Sequence, residues 1–187
     1  PLNAQDFLFV PVVLAAAGAN NAFFTSELTL VNRGPTPVVF NFSYVAAFGS
    51  GNGTAFDQLT GGEQRIVPDA IAYLRSLGVP IPTYGDQGGT LRITFSGLRS
   101  TNDTAVLVRT TTAVPGGRAG LTYAAVPNAS LLRGTSYVCG LRQNAQDRSN
   151  VAIQNAGTEE DGEVVLRLTL ISGDPAAPGT QTLPDEI

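Results

Sequence analysis

Histidine, lysine, methionine and tryptophan are all missing from this chain, and cysteine occurs once, at Cys139. Each absence removes a class of chemistry. Without histidine there is no Ser-His-Asp or Cys-His nucleophile pair, and no imidazole ligand for zinc, iron or copper. Without lysine there is neither a P-loop lysine nor a Schiff base. A lone cysteine makes no intrachain disulfide and no thiolate cluster. Its setting in "YVCGL" reads as a small buried hydrophobe on a strand, since free cysteine is mostly buried and no cationic helix end stands nearby to activate it. Only oxygen ligands remain, so Ca²⁺ is the sole metal to entertain, and no transition metal or organic cofactor is expected.

Charge is scarce too, and unevenly placed. Residues 1–130 carry seven arginines against seven acids, and residues 131–187 carry four against eight, which puts the whole net charge of −4 in the second part. No basic footprint exists, so nucleic acid is not an expected partner. The opening run "FLFVPVVLAAAG" (Phe7 to Gly18) resembles the core of a secretion signal. However, the first basic residue is Arg33, and eleven apolar residues fall short of the about 20 that span a bilayer. The run reads as a buried strand, with Pro11 marking a sheet edge or bulge, and no transmembrane segment is expected.

What is abundant is alternation. Short runs of apolar and polar residues bounded by Gly, Pro, Asn and Asp recur along the chain, which is the strand signature. Strands are expected at 7–14, 26–32, 38–45, 63–67, 90–95, 105–113 and 121–126, then at 137–141, 150–154 and 164–171. In "SELTLVN", Leu28 and Leu30 share the inward face; in "EVVLRLTL", Val164, Leu166, Leu168 and Leu170 do. Leu28, Leu30, Leu166 and Leu168 are expected core residues. "PDAIAYLRSLG" breaks the pattern, with Asp69 as N-cap, Ile71, Leu74 and Leu77 on one stripe and Gly78 as terminator. It predicts a short helix over 70–77 that plugs one end of the fold.

The chain also repeats itself. "FFTSELTLVNRG" (Phe23 to Gly34) aligns with "QDRSNVAIQNAG" (Gln146 to Gly157), matching Ser26 to Ser149, Leu28 to Val151, Leu30 to Ile153, Asn32 to Asn155 and Gly34 to Gly157. Each copy follows an apolar strand opening ("FVPVVL", "YVCGL") and precedes a second apolar strand ("VVFNFSYV", "VVLRLTLI"). Asn followed by Gly at a strand end predicts strand, tight connection, strand. These two patterns resemble the tandem modules of large bacterial secreted or cell-surface proteins with Ig-like β-sandwich repeats. The resemblance implies an all-β chain: a β-sandwich module over residues 1–130 and a partial second module over 131–187, packed on the first or on a neighbouring chain. It also implies an extracellular or cell-surface location, and it brings no catalytic residues with it.

Few stretches suggest chemistry. "TEEDGE" places Glu159, Glu160, Asp161 and Glu163 on one loop, where hard oxygens could hold Ca²⁺. The spacing lacks the alternation of a calcium loop, so the stretch reads rather as a solvated hairpin turn with Asp161-Gly162 as its turn pair. Glu63 and Asp69 flank a strand-to-helix junction and could serve as a carboxylate pair, though capping explains Asp69 and an exposed strand position explains Glu63. "GSGNG" (Gly49 to Gly53) has the glycines of a phosphate loop without its lysine, and reads as a hairpin loop. The long connection through "YGDQGG" makes Tyr84 and Asp86 contact candidates, because ordered loops carry binding surfaces. Arg33, Arg142 and Arg148 read as strand-end partners of local acids such as Asp147. Sequons begin at Asn41, Asn52, Asn102 and Asn128.

Two functions compete. One is a non-enzymatic structural or adhesive module that meets a copy of itself or a neighbouring subunit along an open edge at Val164, Leu166, Leu168 and Leu170. The other is a carbohydrate-binding or carbohydrate-cleaving sandwich using carboxylates and Tyr, weakened by the absence of Trp.

Overall fold

The computed structural model describes residues 7–147, 149–157 and 162–185. Its first compact unit ends at Gln154 and its second runs from Asn155.

In the first unit the strands are β1 (Phe7–Ala17), β2 (Phe23–Asn32), β3 (Val38–Phe48), β4 (Gly53–Leu59), β5 (Gln64–Val67), β6 (Gln87–Ser96), β7 (Thr104–Val114), β8 (Gly117–Ala124) and β9 (Val126–Pro127). They form one nine-stranded antiparallel sheet in the order β4-β3-β6-β1-β2-β7-β8, with β5 added to β2 and β9 to β1. β1 is the joint. From Phe7 to Ala15 it pairs with β6, and its last three residues pass to β2, where Ala17 lies opposite Phe23. The register shifts between Val10 and Val13. Pro11 has no N–H to offer a ladder there, and the Val12 carbonyl accepts the hydroxyl of Tyr123, so the bulge leaves that polar group satisfied. The expectation of a proline-marked bulge holds.

The alternation of β1, β2, β3, β6 and β7 feeds one core. Val10 and Val13, Leu28 and Leu30, Phe40, Phe42 and Tyr44, Leu91 and Ile93, and Val106 and Val108 are all buried in it. Helix α1 (Ala70–Ser76) is too short to persist alone and holds by packing Ile71 and Leu74 into this core. Asp69 caps it, accepting the Ala72 N–H at 2.9 Å, and Gly78 ends it at a φ of 101°, which only glycine adopts freely. Arg75 then donates to the carbonyls of Ile81 (2.9 Å) and Pro82 (2.5 Å), fastening the following loop to the helix.

Several expectations are corrected. β4 was not foreseen. Its inward residues are Ala55, Asp57 and Leu59, while Phe56 points outward at 69% exposure, so the apolar face is inverted in the middle. β2 and β3 do not form the hairpin expected from Asn32 and Gly34, since β3 pairs with β4 and β6. Asn32 is instead fully buried. Its amide shares two hydrogens among the carbonyls of Thr36, Leu59 and Thr60 at 2.8, 3.2 and 2.9 Å, and its oxygen accepts the Gly34 N–H at 3.0 Å. The side chain stitches the β2–β3 connection to the end of β4.

The second predicted module forms little regular structure among the described residues. No strand covers 137–141 or 150–154, and Cys139 is exposed rather than buried. A strand segment needs a neighbouring strand for its N–H and C=O groups, and among the described residues no strand runs alongside these two segments. Of the expected strand at 164–171 only β10 (Thr169–Ile171) forms, pairing with β11 (Thr180–Thr182). Val164 and Leu170 are exposed, while Leu166 and Leu168 are half-buried and not core residues. Arg167 grips Asp185 through two hydrogen bonds, of 3.0 and 2.9 Å.

Candidate functional site

Three connections meet at the end of the sheet where β1 passes into β2. The first is the turn Ala19-Asn20-Asn21-Ala22, closed by the Ala22 N–H on the Ala19 carbonyl. Asn20 and Asn21 take positive φ of 56° and 59°, the left-handed pair that a two-residue hairpin turn requires and that Asn tolerates best after Gly. The second is the β3–β4 loop, where Asn52 accepts the Ala46 N–H at 2.8 Å. The third is the long connection after α1, which carries Tyr84 and Asp86.

Hydrogen bonds knit the three. Asp86 accepts the Ala17 N–H at 2.9 Å, at the end of β1. Gln87 is buried, donates to the Tyr84 carbonyl at 2.8 Å and accepts from the Ser50 N–H at 3.2 Å. Gly49 and Gly51 make room for this, with φ of 77° and 104°. A Cβ at Gly49 would strike the Gln87 amide, and one at Gly51 the backbone of Pro80 and Ile81. Around this frame stand exposed aromatics: Tyr84 at 79%, Phe23 at 54% and Phe48 at 45%, the Phe48 ring lying directly over Gly88. Of the sequence candidates, Tyr84 and Asp86 are therefore brought together on one loop, with Asp86 engaged by backbone and Tyr84 free of the core. Phe23, Phe48 and Gln87 were not singled out in the sequence, and only the fold places them here.

A second cluster of polar groups lies beside α1. Arg65 reaches Asp57 through Nη1 and Glu63 through Nε and Nη2, at 3.0 and 2.6 Å. The Tyr73 hydroxyl donates to Asp57 at 2.5 Å, with its ring edge-on to Phe42. Burial raises the pKa of Asp57. Hydrogen bonds from Tyr73, the Gln58 N–H and Arg65, with the arginine's charge, outweigh that and leave it below the ordinary value. Glu63 is also lowered, by the Thr60 N–H first and by Arg65. Burial and the neighbouring Asp57 push the Tyr73 phenol well up. A general acid needs a carboxyl raised toward neutrality and a base needs a lowered phenol, so this cluster moves both groups the wrong way for proton transfer. Glu63 is thus a half-buried arginine partner rather than a free strand residue.

The remaining candidates are scattered. Glu159, Glu160, Asp161 and Arg148 lie outside the described residues. Glu163 is exposed, and among the described residues no group of three or more acids or cysteines could hold a metal. Arg142 stands 3.8 Å from Asp147, the local acid expected, though among the described residues no strand ends there, and Arg33, at the end of β2, donates to the Asn102 carbonyl at 2.7 Å. Of the sequon asparagines, Asn41 is half-buried and turned to Ser96 at 3.2 Å, whereas Asn102 is exposed.

Fold and sites together define a mostly-β protein, with a nine-stranded antiparallel sheet, a small two-stranded sheet and, among the described residues, one short α-helix. No family model matches the chain, and no curated protein does. Among solved structures, the crystal structure of Thermotoga maritima protein 1070 overlaps it with a TM-score of 0.45 and 9% identity, covering 66% of this chain and 95% of that one.

Proposed function

We propose that the chain is a non-enzymatic structural or adhesive module of an extracellular protein, its sheet folding across β1 into an Ig-like sandwich around a single core. The observation that carries this reading is how its ordered polar side chains are used. Ser26 binds the Leu14 N–H and Thr110, Asn32 gathers three carbonyls, Asp69 caps α1, and Asp57, Glu63, Arg65 and Tyr73 bind one another. Each spends its hydrogen bonds on framework, and the pKa directions of the one dense cluster oppose acid–base work. A screen of hydrolase substrates is expected to find no turnover, and reproducible turnover abolished by an Asp57 or Glu63 variant would sink the reading.

A second reading, carbohydrate binding, is favoured by the exposed Tyr84, Phe23 and Phe48 around the knitted loops, since sugars stack on aromatic faces. Glycan-array binding lost in Tyr84→Ala, with folding intact, would establish it over the first.

A further inference from the structure

We infer that β8 is a self-pairing edge: a second copy of this chain adds its own β8 antiparallel to it, about a two-fold axis beside Leu121, so that one sheet runs through both copies. The inference rests on the structural-module reading and names that module's partner.

The sheet ends in two edges, β4 and β8, and only β4 is guarded. An open edge is normally protected by proline, a bulge or an inward-pointing charge. β4 turns Asp57 inward, where Arg65 and Tyr73 hold it. β8 has no proline and no acid, and its register with β7 runs unbroken from Ala124 to Gly117. Its one charge does not guard it either. Arg118 folds back across β7, donating from Nε to Thr111 at 2.9 Å and from Nη2 to Thr25 at 3.2 Å. Leu121 lies opposite Thr110 on the core side yet is 67% exposed, so the cover of the core stops short of it.

Register selects the partner. The Ala125 N–H reaches the Val106 carbonyl at 2.9 Å, just past the end of β8. In an antiparallel ladder bonded pairs recur at every second residue, so Gly117, Ala119, Leu121 and Tyr123 turn their N–H and C=O groups to β7. Arg118, Gly120, Thr122 and Ala124 turn theirs outward, where no strand pairs with them among the described residues. A two-fold axis perpendicular to the sheet pairs β8 with itself, and only centring on Leu121 gives every outward residue a partner within β8: Gly120 against Thr122, and Arg118 against Ala124. Centring on Gly120 strands Ala124, and centring on Thr122 strands Arg118. On the core side the same register sets Leu121 against Leu121 and the small Ala119 against Tyr123, so apolar groups cover one another and no like charges meet. Any strand can bond the open backbone, but this self-complementarity of both faces points to a second copy.

The test is sedimentation of the full chain across micromolar concentrations, with amide hydrogen exchange read at each. A dimer is expected to form as concentration rises, slowing exchange about tenfold at residues 118, 120, 122 and 124, while 119, 121 and 123 stay protected by β7 in monomer and dimer alike. Thr122→Pro removes an outward N–H that β7 does not use, and should leave a monomer whose unaltered exchange in β2 and β7 shows it to be folded. At the two-fold axis the paired Cα atoms would lie about 4.5 Å apart, within reach of a disulfide. In a Cys139→Ser chain, Leu121→Cys should therefore cross-link on mild oxidation, whereas Ala119→Cys, about 14 Å from its copy in this register, should not. A monomer at every concentration, or outward amides already protected in it, would overturn the inference. So would a dimer that survives Thr122→Pro, or one that cross-links through Ala119→Cys and not Leu121→Cys, since another surface or register would then hold the copies. Hydrolase turnover enters none of these readouts, so a chain that stays monomeric without turnover overturns the pairing and leaves the structural reading standing.

Discussion

Leu28 and Leu30 are wholly buried, whereas Val151 and Ile153, which hold the same places in the aligned stretch, stand about half exposed. Their neighbours match as well: a serine two residues before, an asparagine two residues after, then a glycine. The difference lies in what runs alongside. β2 has a partner on either side over Leu28 to Val31, and Ser149 to Ile153 has none among the described residues. A period of two says which side chains share a face, but whether that face becomes a core depends on strands tens of residues away. Burial of an apolar side chain is worth about 1.5–3 kcal/mol, and the same pattern collects it in one region and leaves it uncollected in the other.

The comparison is broken or sharpened first by truncation. Leu30→Ala should lower stability by about 2–5 kcal/mol, the range for a buried leucine, and Ile153→Ala by less than about 0.5 kcal/mol. Urea unfolding of both variants checks this. Equal losses would show that the second stretch has a core of its own.

The next largest effect belongs to Asn32. Removing the Asn32 amide strands the buried carbonyls it serves, so Asn32→Ala should cost about 1–3 kcal/mol, and Asn32→Asp should not rescue it because a carboxylate cannot donate. Urea unfolding of the two variants checks this, and an Asn32→Asp chain as stable as the parent would show that the hydrogen bonds donated by the amide are not what the side chain contributes.

Much of the first region was legible because its strands alternate cleanly. The inward positions of β2, β3 and β7, the cap at Asp69 and the stop at Gly78 all follow from residue type and spacing. β4 was not legible, because Asp57 sits on its inward side and is acceptable there only through Arg65 and Tyr73, eight and sixteen residues on. The same holds for the loop cluster. Tyr84 and Asp86 could be picked from a long connection, but the Ala17 N–H that fixes Asp86 lies 69 residues away. In the second region the pattern was read correctly and the conclusion failed, since Tyr137–Leu141 alternates without anything to alternate against. Local signals specify what a segment prefers, and non-local pairing decides what it gets.

Acid sharpens the contrast further. Asp57 has a folded pKa below its ordinary value, so its contribution to stability is fully present above the unfolded carboxylate pKa of about 4 and is lost as pH falls through the lower folded value. Denaturation midpoints should therefore fall as pH drops below about 4, and Asp57→Asn should flatten part of that slope. Asp185 is shifted the same way by Arg167, but that pair is solvent-exposed, where screening leaves little net effect. Asp185→Asn should leave the acid slope as it is, and a matching change would put the second ion pair on an equal footing with the first.

The smallest effect belongs to Cys139. A cysteine in a packed strand resists alkylation until the protein unfolds, and modifying it there forces a bulky group into a core with a cost of about 1–3 kcal/mol. Cys139 is exposed, and no strand covers it. A maleimide reagent should thus label it in the native chain at the rate of an unhindered thiol, and the labelled protein should unfold at the same urea concentration within about 0.5 kcal/mol.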